Sequence, residues 1–206
     1  TPPEKSRNIE LGAKLDWLDG KLSTRAAIFR TEKTNERTTD SDFAGSSYLL
    51  SGKRHSQGLE LDVVGRLTSQ WEVYFSYSFI PRATIDQVGS TATPGTVGSR
   101  VGLTPKHSGA AWISYQATPK LRIAGGVRGA SENRPLQGVT GAASLANSTP
   151  GYVVGDMMLE YKFTPDLYAQ LNVNNVTNKL YGDQLYPGFA IAGAKRTVLF
   201  TVGARF

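Results

Sequence analysis

Apolar and polar side chains alternate along most of this chain with a period of two residues. Such alternation is typical of β-strands, in which successive side chains point to opposite faces. The first segment of this kind has an apolar row of Ile9, Leu11, Ala13, Leu15 and Trp17. Its opposite face carries the charged residues Glu10, Lys14 and Asp16. The pattern therefore predicts an all-β protein.

The alternation recurs often enough to predict about nine strands. Seven segments alternate clearly, namely 9–17, 59–67, 71–79, 121–128, 156–163, 167–174 and 198–206. Two further segments, roughly 21–35 and 107–117, alternate less cleanly because alanines occupy both faces.

The connections between these strands are alternately short and long. Tight turns are predicted at 18–20, 68–70, 118–120 and 164–166, from residue types that favour turns. Longer polar links lie near 36–46, 82–105, 133–149 and 179–195. In an antiparallel sheet this places all the short turns at one end. Outer-membrane proteins have this arrangement, with short periplasmic turns and longer extracellular loops, so we predict a transmembrane antiparallel β-barrel.

The two faces of the strands then have different surroundings. We expect the apolar face to meet lipid and the charged face to line a wet lumen. The lumenal residues would include Glu60, Asp62, Arg66, Arg122, Asp156, Glu160 and Lys162. The apolar face carries aromatic residues near the turns (Trp17, Trp71, Tyr161 and Phe163), as a membrane-interface girdle would. The alternative is a soluble sandwich, for example a carbohydrate-binding one, with the apolar face as its dry core.

Composition excludes several other classes of protein. The 206 residues include no cysteine, which excludes disulfide scaffolds and thiolate sites. No apolar run reaches about 18 residues, so the sequence has no candidate transmembrane helix. The net charge is +6, but the charged residues are scattered singly. This scattering does not favour a nucleic-acid partner, because such proteins cluster their cations on one face.

The last predicted strand ends on Phe206. A final amphipathic strand that ends in phenylalanine resembles the assembly signal of outer-membrane barrels. Nine strands is an odd number, whereas bacterial single-chain barrels have an even number. Counting back from a periplasmic Phe206 places the start of the first strand at the outer surface. We therefore expect further chain before Thr1 and interpret these residues as the last part of a larger barrel.

Several segments resemble TonB-dependent outer-membrane siderophore receptors. They are residues 8–14, 18–22, 26–35, 58–61, 104–107, 172–181 and 193–197. The asparagine-rich segment 172–181, followed by the terminal phenylalanine, is the most specific part of this resemblance. The stretch 29–35 leans towards the catecholate-type branch of the family.

The resemblance implies a 22-stranded barrel plugged by an N-terminal domain, a size known for plugged transporters. Residues 1–206 would form its C-terminal portion, about nine strands. The implied function is import of a ferric siderophore across the bacterial outer membrane, energised by the TonB complex through an N-terminal region absent here. Other implied partners are the barrel-assembly machinery, outer-membrane lipid and lipopolysaccharide.

A receptor for a bulky anionic chelate needs basic and aromatic groups at its outer vestibule. The candidate ligand contacts are Arg37, Arg54, Arg82, Arg100, Arg134, Tyr181, Tyr186 and Arg196. The alternative is that such cations pair with lipopolysaccharide phosphates or solvate the loops. We expect the inward residues Gln170, Asn172 and Asn174 to hydrogen-bond lumenal neighbours or the plug. The inward carboxylates are expected to pair with Arg66, Arg122 and Arg128 and so to brace the wall.

Only His55 and His107 could act as a catalytic base. Each precedes a serine, but adjacent strand residues point to opposite faces and cannot form a nucleophile–base pair. We therefore expect no catalytic residue, no metal ligand and no cofactor, because the iron would arrive already chelated. The alternative function is a self-contained small outer-membrane barrel that acts as a porin, an adhesin or a membrane enzyme.

Overall fold

The computed structural model describes residues 3–39, 48–87, 97–134, 148–186 and 189–205. Its strands are β1 Lys5–Trp17, β2 Leu22–Thr39, β3 Tyr48–Arg66, β4 Trp71–Gln87, β5 His107–Gln116, β6 Leu121–Ala130, β7 Tyr152–Lys162, β8 Leu167–Asn174, β9 Gly182–Tyr186, β10 Phe189–Ala192 and β11 Thr197–Ala204. Nine of them form one antiparallel sheet in chain order, with β11 beside β8. No helix in these ranges is long and apolar enough to span a membrane.

The cross-strand register joins the separate apolar rows into one surface. Leu11 lies opposite Ile28, which in turn lies opposite Leu59. At the other side of the sheet, Met157 lies opposite Val173. Directly opposed residues share a face of the sheet. We call the surface that contains these residues the lipid face, and the opposite surface the lumen face.

Large apolar side chains on the lipid face are exposed. Leu11 is 73% exposed, Met157 52% and Phe200 64%. The buried apolar residues of the described ranges are mostly small: Ala27, Ala83, Ile85, Ala124, Val154 and Tyr181. A soluble sandwich would bury its large apolar residues instead, and an apolar surface this extensive requires a partner such as lipid. Within the described residues this face is not the dry core that the soluble alternative requires, and its exposure agrees with the predicted contact with lipid.

The four short turns lie at one end of the sheet, as predicted. In three of them a threonine hydroxyl accepts backbone N–H groups from the residues two and three positions later; the threonines are Thr68, Thr118 and Thr164. This local bond fixes a tight turn without a strained residue. The first turn differs, because Leu18, Asp19 and Gly20 all have positive φ there.

The strands extend further at the long-loop end than the alternation predicts. β2 continues to Thr39, β3 begins at Tyr48 and β4 ends at Gln87. The predicted links 36–46 and 82–105 are therefore partly strand. The predicted link 179–195 contains the hairpin β9–β10. The backbone hydrogen bonds between strands form whether or not a strand has an apolar face. Strands with polar residues on both faces, and strands of only four or five residues, therefore give little alternation in the sequence.

One extra residue in β4 reverses its faces near the long-loop end. Phe79 lies opposite Leu59, but Arg82 lies opposite Gln57, so three steps along β4 match two along β3. Such a bulge tolerates Pro81, which has no N–H to donate. Simple alternation from Phe79 would place Arg82 on the lumen face. The bulge places it on the lipid face instead, which corrects its predicted position in the vestibule.

Candidate ligand-binding site

Two loop bases meet at the end of the sheet opposite the short turns. One precedes β5 and the other follows β6, and the pairing of these strands brings the loops together. Between them lies a cavity of about 460 Å³, lined by Ser99, Arg100, Val101, Thr104, Lys106, His107, Ser131, Glu132, Asn133 and Arg134. Two predicted ligand contacts, Arg100 and Arg134, therefore share one cavity.

Arg100 ties its loop to the end of β4. Its guanidinium donates hydrogen bonds to the carbonyl oxygens of Thr104 at 2.8 Å, Ile80 at 2.6 Å and Pro81 at 3.3 Å. Burial lowers the pKa of the Arg100 guanidinium, although an arginine stays protonated at neutral pH. Since its donors are engaged by backbone, Arg100 mainly forms the wall of the cavity and contributes positive charge to it.

Arg134 is better placed to meet a ligand. Its guanidinium Nη2 lies 3.0 Å from Glu132 Oε1, and both side chains are at least half exposed. Its carbonyl accepts a hydrogen bond from the Leu103 N–H at 2.8 Å, which holds the two loops together. An exposed ion pair contributes only about 0–1 kcal/mol. Arg134 can therefore exchange Glu132 for an anionic ligand at little cost.

An aromatic cluster adjoins the cavity. The His107 ring stacks on Phe79 at 4.8 Å between centroids, and its Nδ1 lies 2.7 Å from the Tyr77 hydroxyl. Lys106 Nζ lies 5.9 Å from the centre of the Phe79 ring. Phe79 itself lies on the lipid face, opposite Leu59, so only Lys106 and His107 of this cluster line the cavity. A cation beside an aromatic ring suits an anionic aromatic ligand.

Tyr181 lies where the last long connection packs against the lumen face. It is 7% exposed, and its ring centroid is 4.4 Å from that of Tyr152. Arg128 donates to the Tyr181 hydroxyl at 3.3 Å and also lies 3.3 Å from Asp156. Gly193 packs against the Tyr181 ring so closely that a Cβ would overlap it. We therefore assign Tyr181 to holding this connection in place.

Asn175 fixes the same connection, and residue patterns alone did not identify it. It is 1% exposed and has positive φ. Its side-chain amide donates to the carbonyls of Lys179 at 2.8 Å and Ala194 at 2.9 Å, and its Oδ1 accepts the Lys179 N–H at 2.8 Å. Its own N–H donates to Asp156 Oδ1 at 2.7 Å. We call Asp156, Asn175, Lys179 and Ala194 the loop latch. The only sequence signal was the asparagine-rich motif at 172–181.

The predicted bracing of the lumen face is largely confirmed, with some changes of partner. Arg122 pairs with Glu160 at 3.1 Å, and Arg128 with Asp156 as above. Asp62 pairs with Arg25 at 3.0 Å, and Arg66 with Glu72 at 2.7 Å. Gln170 donates to Asn172 at 3.1 Å, as expected for lumenal neighbours. The four ion pairs join adjacent strands and occupy carboxylates that could otherwise perform acid–base chemistry.

The remaining predicted contacts are dispersed. Arg54, on the lumen side of β3, pairs with Glu36 at 2.9 Å. Arg196 is exposed, and its backbone N–H donates to Asn178 Oδ1 at 2.9 Å. Arg37 and Tyr186 belong to β2 and β9, but their side chains fall outside the described part of the chain, as does Phe206.

The two histidines have partners unrelated to their neighbouring serines. His55 Nδ1 lies 2.8 Å from Asp86, and His107 contacts Tyr77 as above. Within the described ranges, no group of three or more His, Asp or Glu side chains is arranged to hold a metal ion. The described site thus offers charge and aromatic surface for binding.

A lipid-facing apolar surface, a braced lumen face and loops gathered at one end define a wall segment of a bacterial outer-membrane β-barrel. The family model for the TonB-dependent receptor-like β-barrel matches residues 2–176. The chain belongs to this family, whose members are receptors and transporters. The predicted family and fold class are therefore confirmed.

Individual relatives cover nearly the whole chain. It is 33% identical over 211 residues to the catecholate siderophore receptor Fiu of Escherichia coli, covering 99% of this chain and 26% of that receptor. The crystal structure of the siderophore receptor PiuA of Acinetobacter baumannii superposes with a TM-score of 0.87 at 27% identity, over 98% of this chain and 28% of that one. The crystal structure of the closed form of Fiu superposes with a TM-score of 0.83 at 31% identity. This match covers 100% of this chain and 28% of the Fiu chain. The chain thus spans about a quarter of the length of these relatives.

Proposed function

We propose that the protein containing this chain is an outer-membrane receptor that imports a ferric siderophore, with a catecholate chelate as the first candidate. The observation that carries this proposal is the similarity to a catecholate siderophore receptor along 99% of the chain. The TonB complex would supply the energy through an N-terminal region outside these residues. The iron would remain in its chelate, so the proposal requires no cofactor and no catalytic residue.

The loop-end cavity supports this proposal in chemical terms. Ferric catecholates combine negative charge with aromatic rings. Arg134 and Lys106 provide charge, and His107, which also lines the cavity, provides a π-face. Charge-assisted hydrogen bonds and cation–π contacts suit such a chelate. Arg54 and Arg196 lie further along the same end of the wall. Their positive electrostatic potential would attract an anionic chelate towards the cavity.

The alternative is a self-contained small barrel that acts as a porin, an adhesin or a membrane enzyme. Within the described part of the sheet, β1 pairs only with β2 and β11 only with β8, so the nine strands do not close on themselves. This openness favours a wall segment of a larger barrel. The decisive experiment is uptake of radiolabelled ferric chelates by iron-starved cells with and without the gene. Transport should require both the gene and the TonB complex, whereas unchanged uptake across a broad chelate panel would contradict the proposal.

Replacing Arg134 by alanine should weaken binding of a ferric catecholate by about 5- to 30-fold, equivalent to about 1–2 kcal/mol. The physical reason is loss of an exchangeable charge-assisted hydrogen bond at the cavity. Titration of the purified receptor by tryptophan-fluorescence quenching would measure the dissociation constant. Lys120→Ala, which removes a cation from a short turn at the opposite end, is the matched control and should leave binding unchanged. Equal weakening in both variants would exclude a specific role for Arg134.

Deleting Phe206 should reduce the amount of assembled receptor in the outer membrane several-fold. We propose that this phenylalanine is recognised by the barrel-assembly machinery, because the alternating apolar pattern of residues 198–206 ends on it in the sequence. Quantitative immunoblotting of outer membranes, with heat-modifiable mobility as the test of folding, measures the effect. Replacing the preceding Arg205 by lysine is a control that retains the terminal ring. An unchanged amount of assembled receptor after the deletion would contradict the assembly-signal hypothesis.

A further inference from the structure

The loop-end cavity contains a carboxylate among its cations. Of the described residues that line it, Glu132 is the one acid, and it accompanies Arg100, Lys106 and Arg134. Glu132 is exposed, and an exposed carboxylate is ionised at neutral pH. Each cation of the cavity attracts an anionic ligand, whereas this carboxylate repels it. Glu132 therefore lowers the attraction of the cavity for any anion.

The backbone places Glu132 and Arg134 on the same side of one extended segment. Between them, the Asn133 N–H donates to the Thr149 carbonyl at 3.1 Å, and the Thr149 N–H donates to the Asn133 carbonyl at 2.9 Å. This pair of bonds is an antiparallel bridge. Side chains two residues apart in an extended segment point in the same direction. The carboxylate is therefore set beside the guanidinium by the fold of this segment.

Glu132 occupies the edge of the Arg134 guanidinium that a ligand needs. Its Oε1 accepts hydrogen bonds from Arg134 Nε at 3.1 Å and from Nη2 at 3.0 Å. An arginine presents these two N–H groups side by side and uses such an edge to bind paired oxygens. The two oxygens of a catecholate form a pair of this kind. A bound chelate and Glu132 therefore compete for the same donors.

We propose that Glu132 is a specificity-determining residue, which competes with the chelate for Arg134 and disfavours chelates of high negative charge. This inference rests on the proposed function and adds a charge preference to it. Competition for the Arg134 donors weakens all catecholate chelates alike. The repulsion between Glu132 and a chelate, in contrast, grows in proportion to the charge of the chelate. A ferric complex of three catecholates carries three negative charges and one of two catecholates carries one, so Glu132 disfavours the former more strongly.

The test compares the wild-type full-length receptor with its Glu132→Gln variant, both purified in detergent. The probes are the ferric complexes of two synthetic chelators, which bear two or three tethered catechols. Tryptophan-fluorescence quenching gives each dissociation constant. Glu132→Gln should strengthen binding of the three-catechol complex about tenfold and that of the two-catechol complex about threefold. Heat-modifiable mobility confirms that the variant is folded.

Two further variants separate the position of the charge from its presence. Glu132→Asp keeps the charge and should keep the wild-type ratio of the two affinities within about twofold. Glu72→Gln is the matched control, because Glu72 also pairs with an arginine, Arg66 at 2.7 Å, but lies at the short-turn end. It should leave both affinities unchanged. The same gain in Glu72→Gln as in Glu132→Gln would overturn the proposal, since net charge alone would then explain the effect.

Salt provides a second readout that a merely structural role of Glu132 would not change. Raising the salt concentration from about 0.1 M to about 1 M should reduce the difference between the two chelates in the Glu132→Gln effect, because salt screens the repulsion. If the wild-type receptor binds both chelates and Glu132→Gln strengthens them equally or not at all, the role of Glu132 is refuted while the proposed function stands. If the wild-type receptor binds neither chelate, the proposed catecholate ligand and this inference fail together.

Discussion

Replacing Met157 by arginine should lower the free energy of unfolding of the barrel in a bilayer by about 2–4 kcal/mol. Met157 is 52% exposed on the lipid face, near the middle of β7. A guanidinium there would have to enter hydrocarbon or distort the lipid around it. Urea unfolding in phospholipid vesicles, followed by tryptophan fluorescence and heat-modifiable mobility, would measure the change.

The chain supplies its own control in the next residue. Met158 points to the lumen face, where it lies opposite Ala124 and Asn172. Met158→Arg should change the free energy of unfolding by less than about 1 kcal/mol, because the new charge would meet water and polar neighbours. These are the two methionines of the sequence, so residue type and depth are matched. Equal effects of the two substitutions would contradict the assignment of faces.

The sequence could predict the faces of the sheet because a period of two follows directly from strand geometry. In β7 and β8 every apolar row lies on the predicted face, and the register joins Leu159 to Leu171 as one surface. Outer-membrane barrels strengthen this signal, because lipid excludes charge from one face and the lumen accepts it on the other. The short turns were predictable for a similar reason, since Thr68, Thr118 and Thr164 each form a local hydrogen bond.

The site was less predictable because it depends on interruptions of the pattern. One extra residue near Pro81 moves Arg82 to the lipid face. The alternation of apolar and polar residues does not reveal such a bulge. Tyr181 lies in a polar link yet is buried, because its ring packs between Gly193 and the Tyr152 ring and its hydroxyl contacts Arg128. Arg100 and Arg134 are far apart in the sequence and meet only through the pairing of β5 with β6. Sequence position identified the cations but not which of them share a cavity.

Replacing Asn175 by alanine should open the loop latch and cost at least about 3 kcal/mol of local stability. Three backbone groups bonded to the buried Asn175 side chain would lose their partners: the Lys179 N–H, the Lys179 carbonyl and the Ala194 carbonyl. The connection 175–196 would then separate from β7, while the sheet itself stays paired. Amide hydrogen exchange should rise by about 100-fold or more at Lys179 and at Gly193, whose N–H donates to the Tyr181 carbonyl.

Two controls separate the latch hydrogen bonds from backbone strain. Asn175→Gly tolerates the positive φ but also lacks the amide, so it should open the latch as alanine does. Asn178→Ala, at an exposed position that also has positive φ, loses one bond to the Arg196 N–H and should have a smaller effect. Protection retained in the glycine variant would mean that φ, rather than hydrogen bonding, constrains the connection. If both Asn175 variants lose protection and Asn178→Ala does not, then the hydrogen bonds of the Asn175 side chain hold the last long connection against the wall.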